Sequence, residues 1–116
     1  MHFICVMRIL VTGATGNIAS ALLPRLIAEG HSVRALVRPT SNTEVLRAWP
    51  VELFRGDLTS PDSLRGIGDG VDAAYHLGGA LWTTNLRYLH AANVNGTRAL
   101  AALLADRGLS RFIFAS

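Results

Sequence analysis

Lysine does not occur among the 116 residues, cysteine occurs once, and no apolar run is long. The single cysteine, Cys5, allows no intrachain disulfide and no thiolate cluster, and no metal site is expected. No stretch approaches the ~20 consecutive apolar residues that a membrane-spanning helix needs, so no membrane partner is expected. The opening "MHFICVM" is too short for the apolar part of a secretory leader and has no small-residue cleavage site after it. A cytoplasmic location is the resulting default. The 11 basic residues are all arginines and are scattered along the chain, giving a formal net charge of +3. Nucleic-acid binding would need them gathered in a stripe, so no nucleic-acid partner is expected. There is neither an internal repeat nor a low-complexity linker.

What is present is an apolar half, 50% of the residues, spread over a length that suits one domain with a real core. "RILVT" (8–12), "SVRALV" (32–37), "VELFR" (51–55) and "DAAYHL" (72–77) read as strands, and "RFIFAS" begins a fifth. Between the first two, Ile18, Leu22, Leu23, Leu26 and Ile27 recur at helical spacing, with Gly30 where that helix should end. Pro24 lies inside this helix and should bend it at the freed carbonyl of Ser20. "NTEVLRAW" (42–49) reads as a short helix stopped by Pro50. "TSPDSLRGIGDG" carries the start of another, with Ser60 as cap, Pro61 in the first turn and Asp62 beside the positive dipole end. A long helix is expected from about Asn85 to Asp106, closed by Gly108.

Strands that alternate with helices and are nearly continuously apolar argue for an α/β fold with a parallel sheet covered on both faces. Right-handed crossovers then give a Rossmann-type doubly wound sheet of strand order 3-2-1-4-5, truncated at the fifth strand. Directly after the first strand come Gly13, Gly16 and Ala19, a G-x-x-G-x-x-A spacing that opens the first helix and encloses Thr15. Backbone that approaches a pyrophosphate closely tolerates no Cβ at the first two positions, and the helix N-terminus offers N–H groups and a positive dipole end. The plainer reading of these glycines is a tight turn and close helix packing.

The stretches "RILVTGATGNIASALL", "GDLTSPDSL", "DAAYHLGGA", "NVNGTRALAALLADRG" and "SRFIFAS", in this order, resemble the extended short-chain dehydrogenase/reductase family of NAD(P)-dependent epimerases, dehydratases and reductases. The resemblance runs from Arg8 onward and implies that residues 1–116 are part of an NAD(P)-binding domain, with residues 1–7 as an N-terminal extension. Ala19 departs from the common third glycine, which implies slightly looser helix packing with binding retained. By the resemblance Thr12 and Asn17 flank the phosphate turn, and Asn17 and Ile18 offer N–H groups to the pyrophosphate. Asp57 would accept from the adenine amino group and Leu58 would pack on the ring. Leu77, Gly78, Gly79 and Ala80 would pass under ribose and pyrophosphate, and Asn93 would steady the active-site strand. The bland alternatives are a turn residue for Asp57 and a solvated helix residue for Asn93. His76, inside a core strand, reads as a packed histidine.

The end of the second strand discriminates between the two dinucleotides, since a ribose 2′-hydroxyl calls for a carboxylate and a 2′-phosphate for a cation. "LVRPTSN" puts Arg38 there, with the hydroxyls of Thr40 and Ser41 close behind, and a guanidinium can fork onto a phosphate. NADP is therefore favoured over NAD. Arg38 as a solvated strand-end charge is the alternative, since Arg34 suggests that arginines are placed freely.

In the family, the chemistry belongs to a Ser or Thr just after the fifth strand and to a Tyr-x-x-x-Lys pair further on. Ser116 stands at or one position before the first, and neither Tyr75 nor Tyr88 is followed four residues later by lysine. No catalytic residue is assigned, and the 116 residues by themselves are expected to be inactive. With its last strand uncovered the chain is also expected to self-associate, so a homo-oligomer is possible. Two readings stay open. One is the cofactor-binding portion of an enzyme acting on a nucleotide sugar or a related hydroxy/keto small-molecule substrate. The other is a non-catalytic dinucleotide-binding or sensing module.

Overall fold

A computed structural model describes residues 6–77, 86–105 and 111–114. Five parallel strands form one sheet in the order β3-β2-β1-β4-β5, the order expected from the sequence. They are β1 (Arg8–Thr12), β2 (Ser32–Val37), β3 (Glu52–Arg55), β4 (Ala73–His76) and β5 (Arg111–Phe114). Alternate residues of each strand face opposite sides, and two cores follow. Ile9, Val11, Val33, Ala35 and Val37 bury one face beneath helix α1 (Asn17–Ala28), with Ala19, Leu23 and Leu26 from the helix. Leu10, Leu36 and Ala74 bury the other beneath Leu64, Ile67 and Val71 of the β3–β4 connection and Leu100 and Leu104 of a later helix. This is the doubly wound arrangement.

Helix α1 runs through Pro24 without interruption. The carbonyl that proline leaves unpaired belongs to Ser20, which is exposed, so water can satisfy it. At the other end Gly30 takes φ +89°, donating to Ile27 O while His31 N–H donates to Leu26 O. This pair of bonds is the Schellman closure that a left-handed glycine permits. Ile18 departs from the expected apolar face. It is 60% exposed, in the first turn of α1 beside the glycine-rich loop, and packs on neither core.

Three expected helices are shorter or less regular than their patterns suggested. Residues 42–49 form only a 3-10 turn, Glu44–Leu46, because Leu46 is their one buried anchor and Pro50 prevents extension. After Ser60 a single 3-10 turn spans Pro61–Leu64, without a side-chain cap from Ser60. Gly66 and Gly70 then adopt φ +81° and +73°, which a right-handed helix cannot accommodate. The long helix is α2 (Leu86–His90), a π turn (Ala91–Asn95) and α3 (Gly96–Ala105).

Arg34 is not freely placed. Its side chain is buried, and its Nη1 donates to the carbonyls of Ile67 (2.7 Å) and Asp69 (2.9 Å), while Nε meets Glu52 at 3.2 Å. The guanidinium thus staples β2 to the glycine-rich β3–β4 connection. Arg34→Met should leave those carbonyls short of a donor and cost about 1–2 kcal/mol, read as a lowered urea midpoint at unchanged slope.

Candidate functional site

All strands run the same way, so residues following β1, β2, β3 and β4 gather at one edge of the sheet. Sequence order reverses between β1 and β4, and in open α/β sheets ligands bind outside the carboxyl ends of the strands at such a switch point. Gly13 takes φ +69° and its carbonyl accepts from Gly16 N–H at 3.0 Å, turning the chain from β1 into α1. A Cβ on Gly16 would stand 3.3 Å from the Gly13 carbonyl oxygen. No side chain caps α1 at Gly16, and the first helical turn holds no acidic residue. Exposed Thr15, Gly16, Asn17 and Ile18 therefore border a helix N-terminus whose donors and positive dipole end suit an anion.

At the end of β2 the chain makes a β-turn, Ser41 N–H donating to Arg38 O at 3.0 Å with Pro39 at the position that favours it. Arg38, Pro39 and Thr40 are exposed. After β3, half-buried Asp57 accepts from the N–H (2.8 Å) and hydroxyl (2.7 Å) of Thr59 at Oδ1, while its own N–H donates to Ser63 Oγ at 2.8 Å. The turn role and the proposed ligand role of Asp57 are thus compatible, because a carboxylate has a second oxygen. Leu58 packs on the Leu10–Leu100 core. Leu77 N–H donates to Thr12 O at 3.2 Å and continues the β1–β4 ladder one residue beyond β4. Gly78, Gly79, Ala80 and Ser116 lie outside the described residues. Asn93 is exposed in the π turn that leads into α3.

Two features escaped pattern reading. One is Gly96, buried at the start of α3, where a Cβ would stand 2.6 Å from the Leu58 carbonyl oxygen. The other is a hydrogen-bonded chain through the sheet: Thr12 Oγ1 lies 2.6 Å from His76 Nδ1, and His76 Nε2 lies 2.8 Å from Thr97 Oγ1. His76 is packed, as its strand position suggested, yet both ring nitrogens are engaged and tie β1, β4 and α3 together. Hydroxyls can donate or accept, so either neutral tautomer is satisfied.

Burial pushes the His76 pKa below its ordinary value of 6.5. The unfolded chain therefore takes up this proton more readily than the folded one. The stabilising contribution is complete above the unfolded value and is lost as pH falls from there through the folded value. Urea unfolding should show stability dropping as the pH is lowered through the unfolded-state value of about 6.5 and below it. The drop should be smaller in His76→Gln, which removes the titrating ring.

The family model for the NAD dependent epimerase/dehydratase family matches residues 9–116, and the chain belongs to that family. Over 112 residues it is 37% identical to the 2-alkyl-3-oxoalkanoate reductase of Stenotrophomonas maltophilia, covering 95% of this chain and 33% of that protein. It is 35% identical over 118 residues to a 3 beta-hydroxysteroid dehydrogenase/Delta 5-->4-isomerase of Mycobacterium tuberculosis, covering 94% and 31%. A crystal structure of a short-chain dehydrogenase/reductase superfamily protein from Agrobacterium tumefaciens, with bound NAD, aligns with TM-score 0.77 at 33% identity, covering 94% of this chain and 32% of that one. The chain spans about one third of the length of these relatives. Among the described residues no helix is long and apolar enough to cross a membrane, and no group of three or more His, Cys, Asp or Glu could hold a metal ion.

Proposed function

We propose that these residues are the N-terminal, dinucleotide-binding portion of an NAD(P)-dependent epimerase, dehydratase or reductase acting on a nucleotide sugar or a related hydroxy/keto compound, with NADP preferred over NAD. The observation that carries the reading is the strand-turn-helix unit, with left-handed Gly13, an approachable Gly16 and an uncapped α1 N-terminus. Family membership and the NAD-bound relative support it from outside the chain. When bound, the dinucleotide supplies hydride exchange. What this chain supplies is the hold on it: Gly13, Thr15, Gly16, Asn17 and Ile18 at the pyrophosphate, Asp57 and Leu58 at the adenine, and Leu77 with Gly78 and Gly79 beneath the ribose. Asn93 steadies the active-site strand. Arg38 faces the 2′-position.

Calorimetric titration of the chain with NADPH and NADH is the test. A charge-assisted hydrogen bond contributes about 1.5–3 kcal/mol, so NADPH should bind roughly tenfold to a hundredfold more tightly. Arg38→Asp should reverse the order, because it exchanges a cation for the carboxylate that a ribose hydroxyl prefers. Equal affinities would remove the NADP assignment, and no binding of either would remove the site.

A further inference from the structure

The end of β3 carries an arginine that the reading so far leaves without a part. Val37 and Arg55 are register partners across β2 and β3, so Arg55 stands beside the point where β2 gives way to the Arg38–Ser41 turn. Its Nη1 lies 3.3 Å from the carbonyl oxygens of both Arg38 and Pro39 and donates to them. The Arg38 carbonyl thereby accepts twice, from Ser41 N–H within the turn and from Arg55 across it. Arg55 is exposed, and among the described residues no carboxylate pairs with it. The acidic residues on either side of it in sequence are otherwise engaged, Glu52 with Arg34 and Asp57 with Thr59. Two carbonyls satisfy one nitrogen of the guanidinium but leave its positive charge uncompensated, and a guanidinium has five donors.

We propose that Arg55 is a specificity-determining residue for the dinucleotide, supplying a second cation for the 2′-phosphate while clamping the turn that presents Arg38. The proposal rests on the assignment of Arg38 to the 2′-position. One exposed cation gives a phosphate a partner that salt screens. A second one held against the same turn adds charge to the same spot and reduces the ordering that binding must impose. Solvent can replace Nη1 at the two exposed carbonyls, so removing Arg55 should disturb the fold little.

The experiment titrates NADPH and NADH into the unmutated chain, Arg55→Gln and Arg55→Lys at two salt concentrations. Arg55→Gln should weaken NADPH about tenfold and NADH less than about twofold, and should flatten the salt dependence of NADPH binding. Arg55→Lys should fall between, keeping the charge and losing the fork. Equal loss for both dinucleotides would show that Arg55 only supports the turn, and no loss for NADPH would place it outside the site. Either result overturns the proposal. If the unmutated chain binds both dinucleotides equally, the Arg38 assignment fails first and takes this one with it, whereas binding of neither would reject the glycine-rich turn as the site.

Discussion

Gly13→Val should abolish dinucleotide binding, with NADPH affinity falling more than about a hundredfold, while the chain keeps its sheet. The native φ of +69° lies in the left-handed region, which costs an L-residue about 1–2 kcal/mol and a β-branched one more. The turn can relieve that strain only by rotating, and rotation moves the Gly13 carbonyl away from Gly16 N–H and re-aims the first N–H groups of α1. The binding loss is thus geometric. The strain itself is small beside the cores on either face, and a fall of roughly 4–8 °C in melting temperature per kcal/mol is expected. Calorimetry together with far-ultraviolet circular dichroism separates the two effects. Unchanged NADPH affinity in a folded Gly13→Val chain would show that the pyrophosphate is not held here.

The parts of this molecule that were legible in the sequence are those written in short-range pattern. β1, the glycine-rich turn, α1 and its Gly30 closure are consecutive, and the left-handed angles fall on the glycines that punctuate the pattern. Strand order followed because parallel strands with helical crossovers leave few choices. Residues 42–49 and 60–71 were harder, because a single buried anchor, or glycines at left-handed angles, leaves only a 3-10 turn where the local start and stop signals still read as a helix. Least legible were contacts between residues far apart in the chain. The partners of His76, Thr12 and Thr97, lie 64 and 21 positions away. Arg34 and Arg55 look alike as strand arginines, yet one is buried against two carbonyls of the β3–β4 connection and the other lies exposed along the turn after β2. Only tertiary placement separates a staple from a candidate ligand. The π turn is similarly silent in sequence, since its residues have ordinary helical composition and only the widened hydrogen-bond spacing reveals it.

Gly96→Ala should destabilise the chain by about 1–2 kcal/mol net, although helix propensity by itself predicts the opposite sign. Replacing glycine by alanine in a helix gains about 1 kcal/mol and also narrows the unfolded ensemble. Against this, the new Cβ would stand 2.6 Å from the Leu58 carbonyl oxygen and 2.8 Å from the Leu58 Cβ, neither of them the end of a flexible side chain. Leu58 cannot retreat cheaply, because the bonds of Asp57 to Ser63 and Thr59 hold its segment on one side of the contact. Helix α3 cannot retreat cheaply either, because Leu100 and Leu104 are fully buried and Thr97 is bonded to His76. The collision therefore wins, and thermal unfolding should shift down by at least about 4 °C. Leu58 is also the residue proposed to lie against the adenine, so NADPH affinity should fall together with stability, even at temperatures where the variant remains folded. A raised melting temperature in Gly96→Ala would mean that α3 does not approach the Leu58 backbone. Lowered stability with unchanged NADPH affinity would keep the packing and remove Leu58 from the adenine site.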